Sequence, residues 1–552
     1  MAMDVKKAYA SVGMPPATYL LKYAVPLVIT GVAVSLIFTF LVPDLATGVF
    51  GALIWAIPLF FLILAVIYPY LVAEGRKQQI DRNIHFFITH MGVLATSNIP
   101  RSEIMRILGE KKEYGALAEE TRKIYALVDA WNMSLAEACR FISKRCPSDI
   151  FSDFLDRFAY AMESGEELGK FLKNEQIVVM DDYSNLYEGH LYEVESMKEM
   201  FNSLMMSVVF IVIFAILMPV ITGIDAIVLM GGALFLVLFI EVAFVYFTKA
   251  KAPTDPMWHQ AKVETALNLR IKRTLPVSLA ACLVVLILGL NFTPFPVAVI
   301  LAMGLTPLLY TGFGVAQEEE KLKRRDDNFG AFIRSLGAST SARGGNVKEV
   351  LRTLRYHDFG PLTQNIQDLY QRLNLRVDDE QAWEYFAADT GSMLIEKFTR
   401  MFVEGVKAGG KPDEIGRIIS DNFVRILGLR KSRYQTASSF RGVLYGLMAG
   451  MSFALFVGVA IVGLLEKIFT NLNLDSGTPF ASFFNFSTDL NLIAFLVIAM
   501  LLVHSVVSSL MIRIADGGNY FRSYVDLVGL FWVAAIVSWG AQKMLTGLLS
   551  FG

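Results

Sequence analysis

Apolar and charged positions alternate along this chain in long blocks. Apolar runs at Tyr23–Val42, Val49–Val72, Leu204–Thr222, Ile227–Phe247, Leu275–Leu290, Val297–Gly314, Gly442–Leu465, Leu490–Met511 and Val525–Leu545 predict membrane-spanning helices. Between them lie two charged blocks, Ala73–Ser203 and Gln317–Arg441. In the first block Ile124, Leu127 and Val128, then Phe151, Phe154, Leu155 and Phe158, recur at spacings of three and four, as on a helix with one buried face. RCPSD (Arg145 to Asp149) and ESGEE (Glu163 to Glu167) read as turns between such helices, and no alternating strand run stands out. From about Asn185, Leu186, His190, Leu191, Val194, Met197 and Phe201 run into the next span without a breaker, which predicts one long rod. The predicted fold is a polytopic α-helical membrane protein of about nine spans with two all-α cytoplasmic helical-bundle domains. It divides into 1–72 (tail and two spans), 73–203, 204–316 (spans three to six), 317–441 and 442–552 (spans seven to nine, with an external loop at 466–489).

Composition agrees with that pattern. The 552 residues are 54% hydrophobic and 18% charged, with a mean hydropathy of +0.49, whereas soluble domains are about 25% charged. The net charge of -1 hides a first block with 16 Lys and Arg against 22 Asp and Glu, and a second with 21 against 18. Lys6, Lys7 and Lys22 precede the first span, and Lys249, Lys251, Lys262, Arg270, Lys272 and Arg273 lie between spans four and five. PDLATG, GID and NFTPFP, on the opposite side, carry no Lys or Arg. This alternation predicts a cytoplasmic N-terminus and cytoplasmic blocks, and an odd span count places the C-terminus outside. Asn485-Phe486-Ser487 is a glycosylation sequon in the external loop.

Motifs for chemistry do not emerge. GEELGK (Gly165 to Lys170) is one residue short of a phosphate loop and lacks the Ser or Thr that would hold magnesium. GFG (Gly312 to Gly314) lacks the third glycine of a dinucleotide turn, and Cys139, Cys146 and Cys282 have no metal-ligand spacing. Asp181-Asp182, Asp326-Asp327 and Asp378-Asp379 are adjacent pairs, whose side chains point about 100° apart on a helix, so they read as solvated surface. No enzyme activity, cofactor or metal site is expected. Glu241 and His504 are ionisable groups within apolar runs, and they would carry an ion path if the chain were a secondary transporter or channel.

Two features flank the second block. Lys321, Lys323, Arg324 and Arg325 follow span six, and Arg430, Lys431, Arg433 and Arg441 precede span seven. Two readings fit these clusters: attraction to anionic headgroups at the inner surface, and an electrostatic docking surface for an acidic partner. Their position against the membrane argues against nucleic acid. Gly442, Gly446, Gly450, Ala454 and Gly458 then repeat every four residues, a helix-packing ridge where another backbone can approach. Such a ridge suits a sliding contact, a static bundle or a homodimer.

The two blocks resemble one another. LATSNIPRSEIMRIL beside LGASTSARGGNVKEVLRTL, YGAL beside FGPL, and MESGEELGKFL beside VKAGGKPDEIGRII recur in the same order about 245 residues apart, which reads as a duplicated, homologous domain. Two helical domains of this kind, each leading into a span, resemble the platform (F-type) proteins of type II secretion and type IV pilus machines. The double-domain, nine-span layout is most similar to the archaellum platform branch. The resemblance implies a membrane-embedded core at the base of a filament, with a hexameric cytoplasmic secretion ATPase docking on the soluble domains. It further implies pilin- or archaellin-like subunits moving from bilayer to filament, rotation in the archaellum, and a homodimer among membrane lipids. Platforms of archaeal adhesive pili and of secretion systems share the layout.

Overall fold

The computed structural model describes residues 16–41, 48–222, 224–259, 266–471 and 490–549. Lys6, Lys7, Pro43 to Thr47, Gly223, Lys262 and the sequon at Asn485 to Ser487 lie outside the described residues. The described chain is helical. Among the described residues, the one bridge of β type is an isolated antiparallel pair, Trp258 with Ser392. Eight described helices are long and apolar enough to cross a membrane, or up to nine if the pair bent by 44° is one span. The chain is therefore a polytopic all-α membrane protein.

It opens with α1 (Val25–Leu41), reached through a short helix and a π-helical turn, and α2 (Gly48–Leu94). Pro58 and Pro69 lie inside α2. A helical proline removes the bond to the carbonyl four residues back, which here frees Ile54 and Ala65. Ser35 donates to the Ile54 carbonyl at 2.8 Å and Tyr19 to that of Ala65 at 2.7 Å. The facing helical segment of the hairpin thus satisfies both carbonyls that the prolines expose.

The first charged block folds as α3 (Arg101–Glu110), α4 (Ala116–Trp131), α5 (Leu135–Ser143) and α6 (Asp149–Glu163), then α7 (Leu168–Thr222). Local chemistry sets the boundaries. Ser134 and Glu137 form a reciprocal capping box at α5, and the Phe151 amide donates to the Ser148 hydroxyl at α6. Both predicted turns fall between helices. The rod into the membrane starts earlier than the sequence suggested: α7 is 55 residues long and continuous from Leu168.

Beyond it come α8 (Ala226–Lys251), α9 (Ala266–Phe292), α10 (Val297–Leu305) and α11 (Leu308–Ala342). The predicted sixth span bends between α10 and α11 at Pro307, which has no amide hydrogen to continue the ladder. The second block repeats the element order of the first: α12 (Val347–Leu354), α13 (Leu362–Asn374), α14 (Asp379–Thr390), α15 (Met393–Lys407) and the 60-residue α16 (Pro412–Asn471). Finally α17 (Leu490–Asp516) and α18 (Ser523–Leu549) close the chain.

Contacts group these elements into two compact units. One comprises Met1–Asn185, Ile333–Gly345 and Met401–Asn422. Its interior holds Phe87, Leu117, Phe151, Phe154 and Phe158 with Phe402, Ile415 and Ile419. A side chain at Gly337 would meet the backbone of Pro412 and Gly416, so two helices cross there almost backbone to backbone. The other unit comprises Leu186–Phe332, Asn346–Arg400 and Phe423–Gly552. Its apolar core joins Phe201, Met205, Val212, Leu444, Met448, Met451, Leu501 and Phe531.

Candidate functional site

The second unit contains a set of buried arginines just outside the apolar runs. Arg430 is 2% exposed, and its guanidinium grips Asp255 with both arms, Nε to Oδ2 at 2.7 Å and Nη2 to Oδ1 at 2.9 Å. It also donates to the Pro256 carbonyl at 2.8 Å and reaches Asp326 at 3.4 Å. One turn on, Arg433 donates to three carbonyls: Ala515 at 2.8 Å, Asp255 at 3.0 Å and Ile514 at 3.1 Å. Arg441 pairs with Asp526 at 2.7 Å. Arg513 and Arg522 share the fully buried Glu319, at 2.5 and 2.7 Å, and Arg513 also pairs with Asp516.

Five segments meet in this network: residues 252–259, α11, α16, the end of α17 and the start of α18. Trp258 bridges to Ser392, the His259 amide donates to the Gly391 carbonyl, and the Met393 amide donates to that of Met257. Gly391 has φ of +77°, a left-handed turn open to glycine, and the Trp258 ring lies against it. A short connection between two spans is thereby tied to the start of α15. Buried arginines hold only where each charge and donor has a partner, and here nearly all do. Burial pushes the Asp326 carboxyl up to about 6, with Arg430 and Ser392 opposing it.

This geometry separates the basic residues singled out in the sequence. Arg430 and Arg433 are buried and fully engaged, so they cannot form a docking surface: their donors point into the protein. Lys323 lies over the Tyr434 ring at 3.6 Å, and burial lowers its ammonium below the usual range. Arg325 donates to the Thr390 carbonyl at 3.0 Å. Lys321, Arg324 and Lys431 remain exposed, paired with Glu318, Glu320 and Asp327. The adjacent acidic pairs divide too. Asp326 is 1% exposed, against the expectation of solvated surface, while Asp327 is exposed and Asp378 caps α14 through the Gln381 amide.

The small-residue ridge is mostly open within the chain. Within this chain, side chains added at Gly442, Gly446 and Gly450 would meet nothing within 4 Å, and only Gly458 lies against a neighbour, Ile213 and Ile216 of α7. Ala454 packs partly buried at the edge of the core. Glu241 and His504, distant in sequence, are brought together at 2.6 Å. Sequence reading missed Asp255, Glu319, Asp516 and Asp526 as arginine partners, although an aspartate at the inner end of the last apolar run was a visible signal. The three cysteines are free and buried. Among the described residues, no cluster of His, Cys, Asp and Glu could hold a metal ion.

The pattern of the family described as Type II secretion system (T2SS), protein F matches residues 87–223 and 332–462. Flagella accessory protein J of Methanocaldococcus jannaschii is 36% identical over 548 residues, 98% of this chain and 97% of that protein. Flagella accessory protein J of Methanococcus voltae is 36% identical over 548 residues, 98% of each chain. The chain belongs to the flagella accessory protein J family. A second protein of M. jannaschii, uncharacterized, is 25% identical over 141 residues, 25% of this chain and 24% of that one. No solved structure matches the chain. Membership in the flagella accessory protein J family makes it a multi-pass membrane protein of the flagellar and type IV pilus-like platform kind. Both T2SSF matches run from a helix leaving a span through the helical block into a long helix, α7 or α16.

Proposed function

We propose that this protein is the membrane platform at the base of an archaeal type IV pilus-like filament, with the archaellum as the filament. The observation that carries the reading is near full-length similarity to two proteins named flagella accessory protein J, together with two T2SSF matches that each continue into a rod of 55 or 60 residues. At 1.5 Å per residue such rods reach about 80–90 Å, more than twice a bilayer core. They give motion in a soluble block a covalent route into the membrane.

In this reading the N-terminus and both blocks face the cytoplasm, and the C-terminus lies outside. A hexameric secretion ATPase docks on the blocks, and pilin- or archaellin-like subunits leave the bilayer alongside the bundle. The chain performs no chemistry of its own. Lys321, Arg324 and Lys431 are the docking cations that stay accessible. The open face at Gly442, Gly446 and Gly450 receives a helix from a second copy. The buried arginines keep the feet of α11, α16, α17 and α18 registered while the load changes. The transporter alternative rests on Glu241 and His504, and their closure on each other favours a local site over a through-path.

Co-purification of the full-length protein with its candidate secretion ATPase in detergent, with ATP turnover measured alone and in complex, tests the proposal. Association with altered turnover is the expected result. K321E/R324E/K431E should lose association while keeping membrane insertion and thermal stability. Unchanged binding in that variant removes the three cations from the docking surface, and no association at all removes the platform reading.

A further inference from the structure

Glu241 on α8 and His504 on α17 lie within apolar runs, both 0% exposed. Glu241 Oε1 and His504 Nδ1 are 2.6 Å apart. Two lone pairs do not face each other at that distance, so a proton lies between them. His504 Nε2 has the Ser508 hydroxyl at 3.3 Å on its own helix. The ring stacks on Phe201 of α7, with 3° between planes and 6.0 Å between centroids. The second carboxyl oxygen, Oε2, is buried without a hydrogen-bond partner, and so is the Thr248 hydroxyl two turns along α8. His504 is thus the one polar group that holds Glu241 among the described residues.

The other charges on the helices packed here are committed elsewhere or stand in solvent. On α7, Lys198 contacts Glu195 and Ser439, and Glu199 is exposed. On α8, Lys251 pairs with Glu193, and Lys249 is exposed near the helix end. Arg441 of α16 pairs with Asp526 of α18, and Arg513 of α17 pairs with Glu319 and Asp516. With one proton the pair is neutral, whichever atom holds it. With none it is a buried anion facing an imidazole lone pair, and with two it is a buried cation. Neither has a compensating charge, and hydrocarbon makes both costly.

We propose that Glu241 and His504 form a one-proton binding site inside the membrane bundle, and that its occupancy sets how firmly α8 and α17, which also share an apolar core, are held together. Two apolar side chains would join the helices as well without burying ionisable groups, so a contact built from acid and imidazole is one that protonation controls. The inference does not depend on the ATPase or filament assignments above.

The test is thermal unfolding of the full-length protein in lipid nanodiscs between about pH 5 and pH 9, the range in which imidazoles commonly titrate. Wild type, E241Q, H504L and E241L/H504L are compared. H504L should unfold several degrees below wild type, and the apolar double variant should recover that loss. The wild-type midpoint, taken relative to the double variant, should fall towards the alkaline end, because the unfolded chain gives up there the proton that the folded contact holds. E241Q keeps an N–H to donate to Nδ1, so it should lose the alkaline fall. A difference that does not vary with pH overturns the proposal, as does an alkaline fall in E241Q equal to that of wild type. The E241Q curve decides the matter if H504L does not fold.

Discussion

Asp81 and Asp326 each lie six residues before a family-matched segment, and they keep different company. Each lies on a helix leaving a span, with a serine beside it that caps a later helix, Ser148 for α6 and Ser392 for α15. Burial pushes both carboxyls up to about 6. The aromatic packing repeats as well: Phe87 meets Tyr114 edge-on at 5.6 Å, and Phe332 meets Phe359 edge-on at 5.5 Å. Beyond that frame the two sites part. Asp81 has Ser148, with Lys77 nearby. Asp326 has Arg430, which is itself gripped by Asp255 from the connection after α8. One scaffold therefore carries two different sets of contacts around its buried aspartate, and a single buried arginine accounts for much of the difference.

The largest expected effect comes from breaking that arginine site. R430A strands Asp255 and Asp326 without their cation and should cost about 3–5 kcal/mol. Limited proteolysis should then cut within residues 346–400 before it cuts α3 to α6. D255L/D326N/R430M, with all three charges removed, should recover most of the loss, and failure to recover it would point to geometry as the main contribution.

The two aspartates sharpen the comparison by titration. A carboxyl that keeps its proton to about pH 6 when folded, but to about 4 when unfolded, stabilises the fold in acid and loses that contribution as pH rises through 6. D81N should remove this slope and raise stability at pH 8 by up to about 3 kcal/mol. D326N should gain less, because Arg430 loses an acceptor. Unfolding midpoints at pH 5 and pH 8 check both.

Glu404 titrates in the opposite sense. Burial alone would raise its carboxyl, but His90 at 3.1 Å and the Lys111 ammonium hold it down at about 2. That stability is present above about 4.5 and is lost as pH falls towards 2. E404Q should cost about 1–2 kcal/mol at pH 7, allowing for partial exposure, and the cost should vanish in acid. The smallest effect belongs to the open ridge. G446L should change the stability of the monomer by no more than about 1 kcal/mol, the helix-propensity gain over glycine, since a Cβ added there meets nothing. The same variant should lose self-association by analytical ultracentrifugation, and intact association would move the dimer contact elsewhere.

The helices, the spans and the repeated order of the blocks were legible because each rests on local periodicity. The bend at Pro307 and the early start of α7 were within reach of the same reasoning, from a proline and from the absence of a breaker after Leu168. The arginine network was not. Arg430 and Asp255 are 175 residues apart, and nothing in KAPTDPMW marks its aspartate as an arginine's partner. A run of basic residues looks the same in sequence whether its guanidinium groups face solvent or a buried carboxylate. Likewise, a four-residue glycine period defines a face and leaves open whether anything covers it. Only tertiary placement decides such cases.

The N-terminal hairpin carries its own ruler. Pro58 and Pro69 stand eleven residues apart, close to three full turns, so the two bare carbonyls at Ile54 and Ala65 project from one side of α2. Ser35 of α1 and Tyr19 of the short helix before it read those marks like the wards of a key. Shifting α1 by a single residue would turn both hydroxyls about 100° away and leave two carbonyls unanswered in hydrocarbon. The hairpin therefore has one register in which both bare carbonyls are answered.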